Sequence, residues 1–405
     1  MTRETIERIS RLFTAKFDSN EDRITVRSPG RVNLIGEHTD YNEGFVLPAA
    51  IDRGIILAVA PRIDERMRFH AADLNEDFEG SLRSIRTSDR SWPNYLLGVV
   101  DQMMKAGEAL QGFDCVFGGD VPIGAGMSSS AAIEGGLAHA LNQVFHLGLD
   151  RLALVKLAQK AENEFVGVRC GIMDQFVNIF GEQNRVIKLD CRSLEYEYSP
   201  FERPDIHIVL CDTQVRRALA LSEYNIRRQQ CETGAEILRR SNGGIRTLRD
   251  VSPELLAEHR AELPPVVYKR CAYVMEENDR VSRACDALKT NDIRTFGLQM
   301  YASHVGLRDQ YEVSCRELDV LTEIASSIKG VLGARMMGAG FGGCTINLVE
   351  GAHLEAFLES IRAEYRRRIG SDIKVHTARI HAGTRTVSEA SVSVSPELKA
   401  SDEGR

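Results

Sequence analysis

The chain has 405 residues, 43% of them hydrophobic, and a formal charge of −7, which is enough apolar material for two cored domains. Its basic residues are scattered rather than gathered, so charge gives no reason to expect nucleic acid or another polyanion as a partner. Nine cysteines stand at wide, irregular intervals with no C-x-x-C pair and no Cys/His spacing suited to zinc, and they read as reduced, mostly buried thiols of a cytoplasmic protein.

In chain order, residues 1–17 alternate charges with single apolar residues. They predict an amphipathic helix rather than a signal peptide or membrane anchor, because no continuous apolar run is present. Strands are expected at 24–26, 54–60, 67–69 and 114–117, and long helices over 130–145 and 150–165. A strand over 186–189 leads into turn-rich residues 190–204, where Pro200 and Pro204 mark the expected boundary between a domain of residues 1–195 and one of residues 205–386. After a strand at 206–211, helices dominate to about residue 330, and 324–332 reads as helical too. Strands and glycine turns return over 336–349 and 374–380. Residues 387–405, rich in Ser, Glu and Asp, read as a disordered tail. The pattern predicts an α+β protein in two lobes.

Several segments carry chemistry. Residues 28–51 set Arg31, Glu37, His38 and Asp40 among Gly30, Gly36 and the apolar Val32, Leu34, Ile35, Phe45, Val46 and Leu47. The apolar flanks anchor the polar stretch at a cleft edge, and charged acceptors suit the hydroxyls of a polyol. Residues 118–134 join a strand to a helix through Gly124, Gly126 and three consecutive hydroxyls, Ser128, Ser129 and Ser130. Glycines let backbone N–H groups approach an anion, and the helix turns its positive end to the loop, so this reads as a phosphate cradle. It lacks the G-x-x-x-x-G-K-[ST] spacing, and the chain has no protein-kinase catalytic loop or D-F-G, so the phosphate site belongs to another class.

Glu162 shares a helical face with Val155, Ala158 and Phe165, where a charge asks for a basic partner or a metal ion. Asp174, in the opening turn of a short helix between Gly171 and Gly181, is either a helix cap or a carboxylate able to take a proton from an attacking hydroxyl. Tyr224 belongs to a basic helix over 215–232 and reads first as a packed ring. A G-x-G-x-x-G at Gly338, Gly340 and Gly343 fails as a dinucleotide fingerprint, because it is expected between a helix and a strand rather than a strand and a helix.

Taken together, these segments resemble those of galactokinases, members of the GHMP family of small-molecule kinases. The Gly-Glu-His-Thr-Asp-Tyr stretch at 36–41 is similar to their sugar signature. Residues 122–131 are similar to the nucleotide motif P-x-G-x-G-L-[GS]-S-S-A, with Met127 for Leu, a swap that conserves apolar volume. The Gly-Ile-Met-Asp-Gln-Phe stretch at 171–176, the Tyr-Asn pair at 224–225 and the glycine-rich residues 336–345 complete the likeness in the family's order.

The resemblance implies a two-lobed α+β GHMP kinase fold, with a mixed-sheet N-terminal lobe, an α/β C-terminal lobe and the active site between them. It implies an ATP- and Mg²⁺-dependent sugar 1-kinase converting α-D-galactose to galactose 1-phosphate. By position, Asp174 becomes the catalytic base and Arg31 the group that stabilises charge in the transition state. Glu37, His38, Thr39, Asp40, Gly171, Asp174 and Tyr224 would bind the sugar. Gly124, Ala125, Gly126, Met127, Ser128, Ser129 and Ser130 would wrap the ATP phosphates, and Ser130 and Glu162 would hold Mg²⁺. Two alternatives stay open: a kinase for N-acetylgalactosamine or arabinose, and a galactose- and ATP-sensing regulator without catalysis. The retained serines and Asp174 favour an enzyme. Galactose and ATP are the expected partners, with no nucleic acid or membrane, and the sequence is compatible with a monomer.

Overall fold

The computed structural model describes residues 3–17, 22–122, 124–216 and 220–387. The first half contains α1 (Arg3–Phe17), β1 (Ile24–Asn33), β2 (Phe45–Val46), β3 (Pro48–Pro61), β4 (Arg66–Ala71), β5 (Glu76–Ser81), α2 (Ser91–Lys105), β6 (Phe113–Gly119), α3 (Ser129–Val144), α4 (Arg151–Lys160), α5 (Met173–Phe180), β7 (Arg185–Asp190) and β8 (Tyr196–Pro200). The second contains β9 (Ile206–Asp212), α6 (Ala220–Ser241), α7 (Pro253–Glu258), α8 (Pro265–Lys289), α9 (Ile293–Asp309), α10 (Arg316–Ser327), β10 (Val331–Met336), β11 (Cys344–Glu350), α11 (Leu354–Ile369), β12 (Lys374–Ala378) and β13 (Arg385–Thr386).

The largest sheet runs β13-β1-β3-β6-β4-β5, with β4 and β6 its one parallel pair. A small sheet, β2-β7-β8, lies beside it, and an antiparallel sheet, β10-β11-β9-β12, forms in the second half. This is an α+β architecture. Ile6, Ile9 and Phe13 recur at helical spacing on α1 and bury against Ile56, Ala58 and Val116. On the other side, α3 packs over β1 and β3 with Leu137 and Leu141 in the core. That core continues into Val281 of α8, Phe296 of α9 and Ile346 of β11, so the halves share one apolar interior. Among the described residues, no helix is long and apolar enough to cross a membrane.

α2 and β8 are not among the expected elements, and the helix expected over 215–232 is not helical at 215–216 and is described as α6 from Ala220. Three further departures bear on the site. The strand expected at 24–26 extends to Asn33, which makes the start of the polar segment part of a sheet. The helix expected over 150–165 is α-helical only to Lys160 and then widens into a π-turn, Ala161–Val166. The helix expected over 324–332 stops at Ser327; Gly330, with φ of 84°, turns the chain into β10. The glycine-rich residues 338–343 therefore link two antiparallel strands, and with no helix after them the dinucleotide reading still fails. The expected tail from residue 388 lies outside the described residues.

Candidate active site

A bulge aims Arg31. The β1–β3 register shifts between Pro29 and Arg31, and the Arg31 N–H leaves the ladder to donate to the Met127 carbonyl at 3.2 Å. The Arg31 side chain is buried, and its guanidinium grips Asp174 with two arms, Nε to Oδ1 and Nη2 to Oδ2, each at 2.8 Å. Nη1 donates to the Gly126 carbonyl. Burial works against the charge on Arg31, but Asp174 and Glu37 outweigh it and raise the pKa. Asp174 stands in the first turn of α5, yet its carboxylate is spent on Arg31 and on the Ser128 hydroxyl, not on capping the helix.

Ser128 is the N-cap of α3 in left-handed backbone, φ 54° and ψ 57°, a strained state for a residue with a side chain. Because its hydroxyl goes to Asp174, it does not satisfy the first-turn N–H groups of α3, which suits an anion at that helix end. Gly124, Gly126, Met127, Ser128, Ser129 and Ser130 line a cavity of about 370 Å³ that also holds Arg31 and Asp174. Ala125 is fully buried and lies outside the cavity lining. Arg216, not foreseen from sequence, lines the cavity beside Gly124 and pairs with Asp212 at 2.9 Å.

The π-turn carries Glu162, as such turns often do at functional positions. Among the described residues, no basic side chain pairs with it. It faces Glu134 of α3, and Gln175 Nε2 donates to Glu162 at 2.7 Å and to Glu134 at 3.3 Å. Burial, then the charge of Asp174, pushes Glu162 up to about 7. Burial and Glu162 together raise Glu134 as well. One oxygen of Glu134 is buried without a partner. Two carboxylates crowded without a cation, next to the Ser130 hydroxyl, form a hard-oxygen set that fits a divalent ion such as Mg²⁺. Glu134 was missed from sequence; its signal is a carboxylate amid the small Ala131, Ala132, Gly135 and Gly136.

At the other end of the cavity lie Glu37, His38, Asp40, Gly171 and Tyr224. Glu37 is tied down by its own fold: one oxygen accepts from Gly338 N–H at 2.7 Å and from the buried Arg335 at 3.1 Å. Asp40 is pushed up to about 7, first by burial and then by Asp174. Gly171 is the residue that makes room for it, since a Cβ there would stand 2.1 Å from the Asp40 carboxyl carbon. The His38 ring packs against Tyr224 at 5.4 Å, centroid to centroid.

Two residues expected to meet the sugar have partners within the fold. Thr39 is fully buried and outside the cavity lining; its hydroxyl donates to the carbonyls of Gly36 and Phe45, so it builds the loop. Both ring nitrogens of His38 are already taken, by the Tyr41 hydroxyl and the Ala339 carbonyl, leaving none free for a sugar hydroxyl.

The opposite wall is the turn between β10 and β11, where Gly338, Gly340, Gly342 and Gly343 all have positive φ and the backbone runs beside Gly126. A glycine- and serine-rich phosphate loop facing a polyol-sized acidic end across one Arg–Asp pair defines a small-molecule kinase. Residues 94–182 match the GHMP kinases N terminal domain and residues 284–367 the GHMP kinases C terminal domain, so the chain is a GHMP kinase.

Closer relatives narrow this. Residues 11–61 match the galactokinase galactose-binding signature. The galactokinase of Roseiflexus sp. (strain RS-1) is 45% identical over 89% of this chain and 92% of its own length. That of Clostridium beijerinckii is 40% identical over 95% and 100%. The crystal structure of Lactococcus lactis galactokinase complexed with galactose matches with a TM-score of 0.91 and 36% identity, covering 94% of this chain and 100% of that one. The chain belongs to the galactokinase family. Methanococcus jannaschii mevalonate kinase, at 18% identity and a TM-score of 0.64, shares the fold.

Proposed function

We propose that the chain transfers the γ-phosphoryl group of ATP to the C1 hydroxyl of α-D-galactose, giving galactose 1-phosphate and ADP. The observation that carries this reading is the two-armed Arg31–Asp174 pair lying where the phosphate loop meets the acidic end of the cavity. In this reading Glu37, Asp40, Gly171 and Tyr224 orient the sugar. Asp174 accepts the C1 proton as the hydroxyl oxygen bonds to phosphorus and the bond to the ADP oxygen breaks. Arg31 orients Asp174 through its two bonds and offers positive charge to the transferring group. The backbone of residues 124–130, with the α3 N-terminus, binds the phosphates. Ser130 and Glu162, with Glu134 behind, would hold Mg²⁺, which when bound neutralises charge between the phosphates. Residues 1–195 serve as one lobe and residues from 205 to the end of β12 as the other; the expected second boundary at 386 is too late, because the chain returns at Ile380 and β13 to pair with β3 and β1 of the first lobe. All nine cysteines are free thiols, which supports a cytoplasmic location.

A coupled ADP-release assay against galactose, N-acetylgalactosamine, arabinose and mevalonate tests the reading. Turnover is expected with galactose above the others; no turnover with any sugar rejects the kinase assignment.

A further inference from the structure

A line of side-chain hydrogen bonds leaves the acidic end of the cavity and runs into the helices of the second half. It begins at Ala339 in the glycine-rich turn. A carbonyl only accepts, so the proton on the His38 ring must sit on Nε2, 3.2 Å from the Ala339 oxygen. Burial keeps the ring neutral, lowering its pKa to about 3, and Nδ1 is then an acceptor. The Tyr41 hydroxyl, 2.7 Å away, donates to Nδ1. Having given its proton, the Tyr41 oxygen accepts from the Tyr311 hydroxyl at 2.7 Å, and Tyr311 in turn accepts from the Cys231 thiol at 3.2 Å. The carbonyl at one end fixes the direction of every bond. Tyr311 is fully buried and Cys231 nearly so, so water has little opportunity to replace either partner. The same rings hold the imidazole in place, with centroids 4.9 Å from Tyr311 and 5.8 Å from Tyr41.

We propose that Tyr41 and Tyr311 are positioning residues for sugar binding: the chain Cys231–Tyr311–Tyr41 locks His38 in its Nε2–H tautomer and one ring orientation, and so holds the Glu37–His38–Asp40 turn in its receiving shape before the sugar arrives. His38 thereby serves as the turn's anchor to the glycine-rich wall, not as a donor to the ligand. The role in sugar binding rests on the galactose-kinase reading of the cavity; the bond chain itself does not.

Tyr41→Phe removes one hydroxyl and keeps the ring. It should raise KM for galactose about tenfold, the order of one buried hydrogen bond, while kcat and KM for ATP stay within about twofold. Tyr311→Phe should raise KM for galactose less, and the double variant should be no worse than Tyr41→Phe, since Tyr311 acts through Tyr41. An unchanged KM for galactose, additive effects, or equal losses for both substrates overturns the proposal. A second measurement needs no variant fold: ¹⁵N-labelled histidine in the wild-type protein, before any sugar is added, should show His38 protonated on Nε2 alone at neutral pH. A proton on Nδ1 overturns the chain of bonds whatever the protein phosphorylates. Conversely, a protein with this ring state and no sugar turnover would reject the kinase reading and leave the bond chain standing.

Discussion

The Arg31 guanidinium and the Asp174 carboxylate meet edge to edge, in two parallel bonds of 2.8 Å, across 143 positions of sequence. Such a pair fixes both planes, and with the Ser128 hydroxyl on Oδ2 it holds the carboxylate in one orientation beside the phosphate loop. Asp174→Asn keeps the shape and removes the base. We expect kcat to fall by about 10²–10⁴-fold, the usual worth of a positioned base, with the affinity for ATP retained in a binding titration. Near-normal turnover would remove Asp174 from the mechanism.

Gly171 and Asp40 are packed without tolerance. The missing Cβ of Gly171 leaves the space that the Asp40 carboxyl occupies, at 2.1 Å from where a methyl carbon would be. Gly171→Ala should therefore push Asp40 off its position, a misfit costing about 1–3 kcal/mol. The cost should appear as a raised KM for galactose in steady-state kinetics, with KM for ATP unchanged. Equal changes for both substrates would mean that Asp40 is not what the glycine accommodates.

These two relationships also show what sequence can and cannot reveal. The residues of the Arg31–Asp40 segment and of the Gly124–Ser130 loop were legible because their chemistry is contiguous: charge between apolar flanks, glycine before hydroxyls before a helix. The groups that hold these residues in place were not. Glu277 accepts the Gly36 N–H at 2.9 Å from 241 positions away, Arg335 reaches Glu37 from 298, and Tyr311 reaches Tyr41 from 270. Each pairing joins the segment after β1 to α8, to β10 or to the turn after α9, which leaves no local pattern. Glu162 was found, but its π-turn was not, because widening one helical turn barely changes the period of the apolar stripe. Residues 324–332 failed for a related reason: an apolar run ending in Gly-Val-Leu is compatible with a helix end or with a strand start, and the strand pairing with β11 decides.

Asp40 makes the empty protein's stability depend on pH in a predictable direction. Its ordinary value is 3.8, and in the fold burial, then Asp174, pushes it up to about 7. Between these values the folded protein holds a proton that the unfolded chain has released. Stability from this group is thus full below about pH 4 and is lost as pH rises through 7. Glu162, also pushed up to about 7, acts with the same sign. Glu134, raised as well, adds to it, and Asp40→Asn removes only the Asp40 share. Measured without sugar by thermal unfolding, the Tm of the variant relative to wild type should climb from pH 4.5 to pH 8. A difference that stays flat or falls would show that Asp40 is ionised throughout.

Arg335 should be worth more to the fold than any other single cation near the site. It is fully buried, and it donates to the carbonyls of Leu34, Met336 and Asn33 as well as to Glu37. These bonds staple the end of β1 to the start of the glycine-rich turn, so one side chain joins the sugar-facing segment to the opposite wall. Arg335→Met keeps much of the volume but strands the Glu37 carboxylate and three carbonyls without their donor. Removing one partner of a buried pair typically costs about 3–5 kcal/mol, and that loss is expected in urea unfolding. Adding Glu37→Gln should restore part of it, because the stranded charge is then gone and Gly338 N–H still has an oxygen to meet. If the single variant loses less than about 1 kcal/mol, the lower bound of an unsatisfied buried group, the staple is not holding the two walls together.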